Sequence, residues 1–169
     1  DLAVLTLLYD SGARVSELTD LTVRDVRLDA PSTVTLHGKG RKIRCVPLMS
    51  KTTALMRSYF AEQGLLDRRE KLDAPVFFNS RGEKLTRAGI AYILGKYVAR
   101  VRNDGDVLLP KSVSPHCIRH SKAVHMLQAN VNLIYIRDFL GHVNISTTEI
   151  YAKVDAETKR AALEKAYIP

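Results

Sequence analysis

Six side chains, spread over most of the chain, have the types that chemistry at a phosphate ester requires. Two arginines, a lysine and two histidines can surround one phosphate, and a tyrosine can attack its phosphorus through the phenolic oxygen. In chain order they are Arg14, Lys39, His116, Arg119, His142 and Tyr151. This set predicts a site that breaks a phosphodiester by forming a phosphotyrosine.

The strongest local pattern in the set is the pair His116 and Arg119. Ser114 followed by Pro115 is typical of the first turn of a helix. Residues three apart share a helix face, so the pair projects together where free backbone amides already favour an anion. Alone, the pair could simply solvate a helix start, and Tyr151 could be a half-buried core residue. The order of all six residues favours the chemical interpretation.

The elements that must position these residues form a mainly helical α+β pattern, a helical bundle with a small antiparallel sheet near its start. Helices are predicted over residues 1–11, 16–20, 51–63, 86–102, 114–129, 132–140, 147–153 and 155–167. Strands are predicted over residues 33–37, 42–48 and 76–78. Gly12 is expected to end the first helix and Ser16 to cap the second. Arg14 then lies in a bend and Lys39 in a hairpin turn, and the loop 103–114 is expected to be the most flexible region.

Composition limits the class of protein. The 169 residues, 46% of them apolar, fit a single domain over residues 1–169. The net charge of +8 predicts a nucleic-acid partner, although a solvated basic face gives the same balance. The sequence contains no run of about 18 apolar residues, so a membrane span is not predicted. We expect a cytoplasmic protein. Cys45 and Cys117 lie in different predicted elements and indicate neither a disulfide framework nor a metal cluster.

The segments around the six residues resemble the catalytic domain of tyrosine recombinases, the integrases and resolvases of phages, plasmids and mobile elements. Residues 7–18 (LLYDSGARVSEL) are similar to the family's first-arginine motif, and residues 38–42 (GKGRK) with 46–48 (VPL) to its catalytic-lysine hairpin. Residues 116–120 (HCIRH), 140–142 (LGH) and Tyr151 follow in the family's order. Ala13 departs from the pattern, since many members have glycine there.

The resemblance implies the recombinase catalytic-domain fold and a role for each residue. Arg14 and Arg119 are expected to stabilise the non-bridging phosphate oxygens with planar, permanently charged guanidinium groups. Lys39 is expected to act as the general acid that protonates the departing 5′ oxygen. Lys42 is the neighbour that could be mistaken for it.

The remaining roles concern the phenol and the orientation of its neighbours. A phenol with a pKa of about 10 needs help in losing its proton, and His116 is the candidate for that assistance. His142 is expected to hydrogen-bond a phosphate oxygen. Glu17 is expected to support the site by orienting a neighbouring His or Arg, with a solvent-facing helix acid as the alternative.

No cofactor is expected, because the phosphotyrosyl link conserves the energy of the broken bond. No metal is expected either, since the arginines supply the charge that a metal would, and His120 and His125 are interpreted as structural. Two sets of basic residues are expected to contact the DNA backbone without reading bases. The first is Arg41, Lys42 and Arg44, and the second is Arg81, Lys84 and Arg87.

The resemblance further implies double-stranded DNA as partner, no small-molecule substrate, and a homotetramer on two DNA sites. The apolar last helix either packs on its own domain or docks into a neighbouring protomer. Because the family's amino-terminal DNA-clamping domain is not found, we interpret the chain as a catalytic-domain fragment. The expected function is site-specific recombination for integration or excision of a mobile element. A type IB topoisomerase and a DNA-binding module that no longer cuts are the alternatives.

Overall fold

A computed structural model provides the structure of the protein. It describes residues 1–66, 69–105 and 109–141, apart from the side chains of Arg41 and Arg69. His142, Tyr151 and the helices predicted over 147–153 and 155–167 therefore lie outside the described residues.

The bend that carries Arg14 joins the first two helices. Helix α1 spans Leu2–Ser11 and ends at Gly12, as predicted. The Gly12 φ of 56° is a left-handed conformation that glycine adopts most readily. Helix α2 spans Val15–Thr19, so the prediction of Ser16 as its cap is wrong. The helix begins before Ser16 because Arg14 itself takes the cap position.

The sheet has three antiparallel strands in the order β1-β2-β3. These strands are β1 (Val26–Arg27), β2 (Thr33–His37) and β3 (Ile43–Pro47). The predicted hairpin is confirmed, with Val34 opposite Val46 and Leu36 opposite Arg44. Strand β1 was not predicted, because a two-residue strand leaves no periodic signal in the sequence.

The strand predicted over residues 76–78 is wrong. Among the described residues, this segment has isolated bridges in place of a strand, one just before it between Thr22 and Pro75 and one at its last residue between Phe78 and Lys84. Pro75 has no backbone N–H, so it cannot donate the hydrogen bond that would extend the bridge into a ladder. Val76 and Phe77 are buried all the same, which explains the apolar run.

Besides short 3₁₀ turns, the described part of the chain contains four further α-helices, each within one residue of its predicted bounds. They are α3 (Ser50–Glu62), α4 (Arg87–Asn103), α5 (Pro115–Gln128) and α6 (Leu133–Leu140). Local caps account for this agreement. Thr86 accepts a hydrogen bond from the Gly89 amide at 3.1 Å, Asn132 accepts one from the Ile134 amide at 2.8 Å, and Gly141 has a φ of 65°.

Helix packing brings distant parts of the sequence to the Arg14 bend. Helix α1 packs on α3 and α5, and α6 packs on both α5 and β3. A Cβ at Gly12 would lie 2.9 Å from the Phe139 ring, so the bend sits directly against the end of α6. The start of α5, the lysine hairpin and the end of α6 thus surround one place. No helix within the described ranges is both long and apolar enough to cross a membrane.

Candidate active site

Arg14 lies at the start of α2, where Glu17 contacts both its backbone and its side chain. Glu17 is the third residue of the helix, so its carboxylate reaches back to the first turn. Its Oε2 accepts a hydrogen bond from the Arg14 backbone N–H at 2.7 Å, and its Oε1 accepts one from Arg14 Nη1 at 2.9 Å. The Arg14 side chain remains 40% exposed. One carboxylate therefore fixes the guanidinium while part of it faces solvent.

Glu17 is a buried, ionised acid and does not face solvent. The residue is 4% exposed. Burial alone would raise its pKa, but hydrogen bonds from Arg44 and from the Arg14 backbone, with the charge of Arg44, more than offset burial and lower the pKa of Glu17 to about 2. This geometry suits the orienting role predicted for Glu17.

Arg44, predicted to contact DNA, is directed at protein atoms. Its Nη1 and Nη2 donate to the two Glu17 carboxylate oxygens at 2.8 and 2.7 Å, and its Nε donates to the Phe139 carbonyl oxygen at 3.0 Å. Its side chain is 12% exposed. A contact between Arg44 and a DNA phosphate would require breaking this bidentate ion pair, so the structure argues against the predicted contact.

Lys39 lies beside Arg14 in a cleft of about 790 Å³. Both Lys39 and Lys42 are exposed and line this cleft, and Gly141, the residue before His142, lines it too. The lining includes four permanently basic side chains and two carboxylates, so the cleft favours an anion. Geometry alone does not separate Lys39 from Lys42 as the general acid.

His116 and Arg119 line, together with Arg14, a second and smaller cavity of about 240 Å³. They share the first turns of α5, where the sequence placed them, and His116 is exposed while Arg119 is 3% exposed. Arg119 donates hydrogen bonds to the carbonyl oxygens of Gly12 and Leu140. It thereby joins the Arg14 bend to the end of α6.

The structure brings together four of the six predicted catalytic residues around Arg14, which lines both cavities. His142, Tyr151 and the Arg41 side chain lie outside the described residues, and their roles stay predictions. Within the described ranges, no group of three or more His, Cys, Asp or Glu side chains is placed to hold a metal ion.

The second basic set and His125 line neither of the two cavities described above. Arg81, Lys84 and Arg87 are exposed, and Lys84 pairs with Asp20 at 2.7 Å. His125 Nδ1 lies 2.6 Å from the Tyr9 hydroxyl, a contact between α1 and α5 that suits the structural interpretation.

The ion pair between Arg44 and Glu17 is the feature that the sequence interpretation missed. Two signals point to it. Arg44 and Val46 lie two apart on β3, hence on the same face of the strand, and Val46 is buried. Glu17 stands three residues after Arg14, the spacing of a helix-capping acid.

The depressed pKa of Glu17 predicts a pH dependence of stability. Its ionised form is favoured in the folded state, so its contribution is complete above about pH 4.5 and is lost as the pH falls towards about 2. The contribution amounts to about 3 kcal/mol. In thermal melts of the full-length protein, Glu17→Gln is expected to lower Tm at pH 7. It is also expected to reduce the decrease in Tm between pH 4.5 and 2.5, roughly the interval between the ordinary and the folded-state pKa of Glu17.

Glu62→Gln is the matched control, because Glu62 is exposed on α3. It is expected to leave the pH profile of Tm unchanged. Equal profiles for the parent protein and Glu17→Gln would show that Glu17 does not carry this dependence.

Comparisons with known proteins agree with the resemblance. The profile of the phage integrase family matches residues 1–158. A tyrosine recombinase XerC from Pelobacter propionicus is 37% identical over 167 residues, covering 99% of this chain and 52% of that protein. The chain spans about half the length of the curated relatives it matches.

Solved structures of recombinases share the fold. The XerH site-specific recombinase, in a post-cleavage complex with a palindromic difH substrate, gives a TM-score of 0.74 at 26% identity, covering 96% of this chain and 44% of that one. The Tn1549 transposon integrase in complex with transposon right end DNA gives a TM-score of 0.77 at 20% identity, covering 96% of this chain and 57% of that one. The second likeness concerns the fold alone.

Proposed function

The chain belongs to the phage integrase family, and from that membership we propose that the full-length protein cuts and rejoins duplex DNA at specific sites through a 3′-phosphotyrosyl intermediate. The observation that carries this proposal is the position of Arg14. It lines the cleft of Lys39 and also the cavity of His116 and Arg119, so residues from three separate segments can face one phosphate.

The cleavage step requires two proton transfers. The Tyr151 phenolic oxygen attacks phosphorus, so that a bond from phosphorus to this oxygen forms as the bond from phosphorus to the 5′ oxygen breaks. His116 assists by accepting the phenolic proton. Lys39 donates a proton to the departing 5′ oxygen, which leaves as a hydroxyl.

Charge stabilisation falls to Arg14 and Arg119. Negative charge concentrates on the non-bridging oxygens during attack, and guanidinium groups fixed in advance stabilise it without reorganisation. Arg14 is fixed by Glu17, and Arg119 by backbone carbonyls on two elements. His142 is assigned a hydrogen bond to a phosphate oxygen, on the basis of its sequence position.

Rejoining reverses these steps. A 5′ hydroxyl attacks the phosphotyrosine, forming a new bond to phosphorus while the bond to Tyr151 breaks and the phenol regains its proton. When the hydroxyl comes from another duplex, the strands are exchanged. The bond energy is retained throughout, so the proposal requires no nucleotide cofactor.

The number of tyrosines required for strand exchange determines the number of protomers. Exchange of both strands between two duplexes breaks four strands, and each protomer supplies one Tyr151. We therefore propose a homotetramer on two DNA sites, with exposed Lys42 and the Arg41 segment near the backbone. Integration or excision of a mobile element is the finer form of the proposal, supported by the match to the phage integrase family.

A denaturing gel tests the proposed function. The full-length protein is incubated with a pool of nicked random-sequence duplexes, in which cleavage near the nick releases a short strand and prevents rejoining. A band that resists detergent and disappears with protease is expected. Tight binding without a band would support a module that no longer cuts, and relaxation of supercoils by a monomer without strand exchange would support a topoisomerase.

The general-acid role of Lys39 predicts a substrate-specific rescue. Lys39→Ala is expected to slow cleavage by about 10²- to 10⁴-fold, because the leaving 5′ oxygen loses its proton donor. Sulfur in place of that bridging oxygen should largely restore the rate, since a thiol has a pKa of about 8.5 and leaves without a proton. Single-turnover cleavage of the two substrates measures both effects.

Lys42→Ala is the matched control, as Lys42 is exposed in the same cleft. It is expected to weaken DNA binding slightly, and its cleavage rate should not rise specifically on the substrate with the bridging sulfur. The opposite pattern, with rescue of Lys42→Ala alone, would transfer the role to Lys42.

A further inference from the structure

The bonds of Arg44 suit a role inside the site better than one at the DNA surface. Its guanidinium forms two parallel bonds to Glu17, the strongest pairing available to it, and a third bond to the Phe139 carbonyl oxygen. We call Arg44, Glu17 and the Phe139 carbonyl the Arg44 network. It connects three elements, β3, α2 and α6.

The first consequence concerns the charge of Arg14. Glu17 is shared between Arg14 and Arg44, and its carboxylate is ionised. Arg44 neutralises this carboxylate, so the positive charge of Arg14 remains for a bound phosphate. Without Arg44, the carboxylate would cancel the charge of Arg14 and would repel a phosphate in the same cleft.

The second consequence concerns the end of α6. The last carbonyls of a helix carry partial negative charge and need donors. Arg44 donates to the Phe139 carbonyl, and Arg119 donates to the next one, that of Leu140. A Cβ at Gly141 would lie 3.2 Å from Arg44, so the backbone passes close against this side chain immediately before His142.

We infer that Arg44 is a positioning residue for strand cleavage, an inference that rests on the proposed function. It neutralises Glu17, so that Arg14 keeps its charge for the phosphate, and it fixes the end of α6 from which the chain continues to His142. It makes no phosphate contact of its own.

Double substitution provides the sharpest test of this inference. In the full-length protein, Arg44→Gln is expected to slow single-turnover cleavage by about 10- to 100-fold at saturating DNA, measured with sequences recovered from the covalent complexes. Glu17→Gln combined with Arg44→Gln should recover about 10-fold of that loss, because the uncompensated carboxylate is gone. Independent effects would instead multiply, making the double variant slower than either single one.

A modified phosphate separates catalysis from folding. A methylphosphonate at the cleaved position removes one charged oxygen, so it should reduce the penalty of Arg44→Gln. A merely structural defect would slow both substrates equally. Arg44→Lys, which retains the charge but not the bidentate pair, is expected to be intermediate and serves as the second variant if Arg44→Gln does not fold.

Salt dependence distinguishes positioning from DNA contact. Arg44→Gln is expected to show the same slope of log affinity against log salt concentration as the parent protein. Loss of a phosphate contact would instead reduce the magnitude of that slope by about 0.9. Arg57→Gln is the control, because Arg57 is half-exposed and donates to the Leu28 carbonyl outside this cleft. It should not change cleavage.

The failures of the two ideas are distinguishable. Cleavage by Arg44→Gln at the parent rate, or a reduced salt slope with normal cleavage at saturating DNA, would overturn the inference and leave the proposed function standing. Absence of any covalent complex with the parent protein would overturn the proposed function, and the inference with it.

Discussion

Replacing Tyr151 with phenylalanine is expected to abolish covalent attachment to DNA while leaving DNA affinity within about twofold of the parent protein. The change removes only the hydroxyl proposed to attack, and the basic residues proposed to bind the phosphates remain. Denaturing gels measure the attachment, and equilibrium binding at a fixed salt concentration measures the affinity.

Tyr135→Phe is the matched control for this prediction. Tyr135 is 70% exposed on α6, and loss of its hydroxyl should change neither quantity. Covalent attachment by Tyr151→Phe at the parent level would assign the nucleophile to another residue.

Replacing Arg119 with alanine is expected to reduce cleavage by about 10³-fold or more and also to destabilise the fold. The residue is 3% exposed, and its removal leaves the Gly12 and Leu140 carbonyls without this donor, at a cost of about 2–4 kcal/mol. Arg14→Ala is expected to show a similar loss of cleavage with a smaller loss of stability, because the Arg14 side chain is 40% exposed.

Single-turnover cleavage and thermal melts of the two variants separate these effects. Arg119→Lys provides a further comparison, since it retains a charge but cannot donate to both carbonyls in the same way. Cleavage by Arg119→Ala within tenfold of the parent, at a temperature where both proteins are folded, would contradict the assigned role.

The α-helices within the described residues were predicted to within one residue at each end, because their ends depend on local chemistry. Gly12, Thr86, Asn132 and Gly141 act within a turn of their own positions, and the hairpin follows from alternating residues on either side of a glycine-containing turn. The two strand errors have non-local causes, whereas the error at Ser16 is local, because the Glu17 carboxylate accepts a hydrogen bond from the Arg14 amide at the start of the helix. Strand β1 exists through its pairing with β2, and Val76 and Phe77 are buried by packing although they do not form a ladder.

The predictions for the site divide in the same way between local and non-local features. Residue type and order were enough to identify the six catalytic candidates, four of which the structure describes around Arg14. The partners of Arg44 could not be read from local spacing, because Glu17 and Phe139 lie 27 and 95 residues away in the chain. A basic residue near a turn that was expected to contact DNA was therefore interpreted as a phosphate contact, although the fold directs it inward.

Peptide mapping of the covalent complex identifies the residue that attacks the phosphate and the strand end to which it becomes joined. The full-length protein is trapped on nicked duplex, digested with protease and nuclease, and examined by mass spectrometry for a peptide that retains a nucleotide. We expect a single modified residue, Tyr151, linked through phosphate to the 3′ end of the cut strand. A 5′ linkage, a different modified residue, or tight DNA binding with no linked peptide would contradict this expectation.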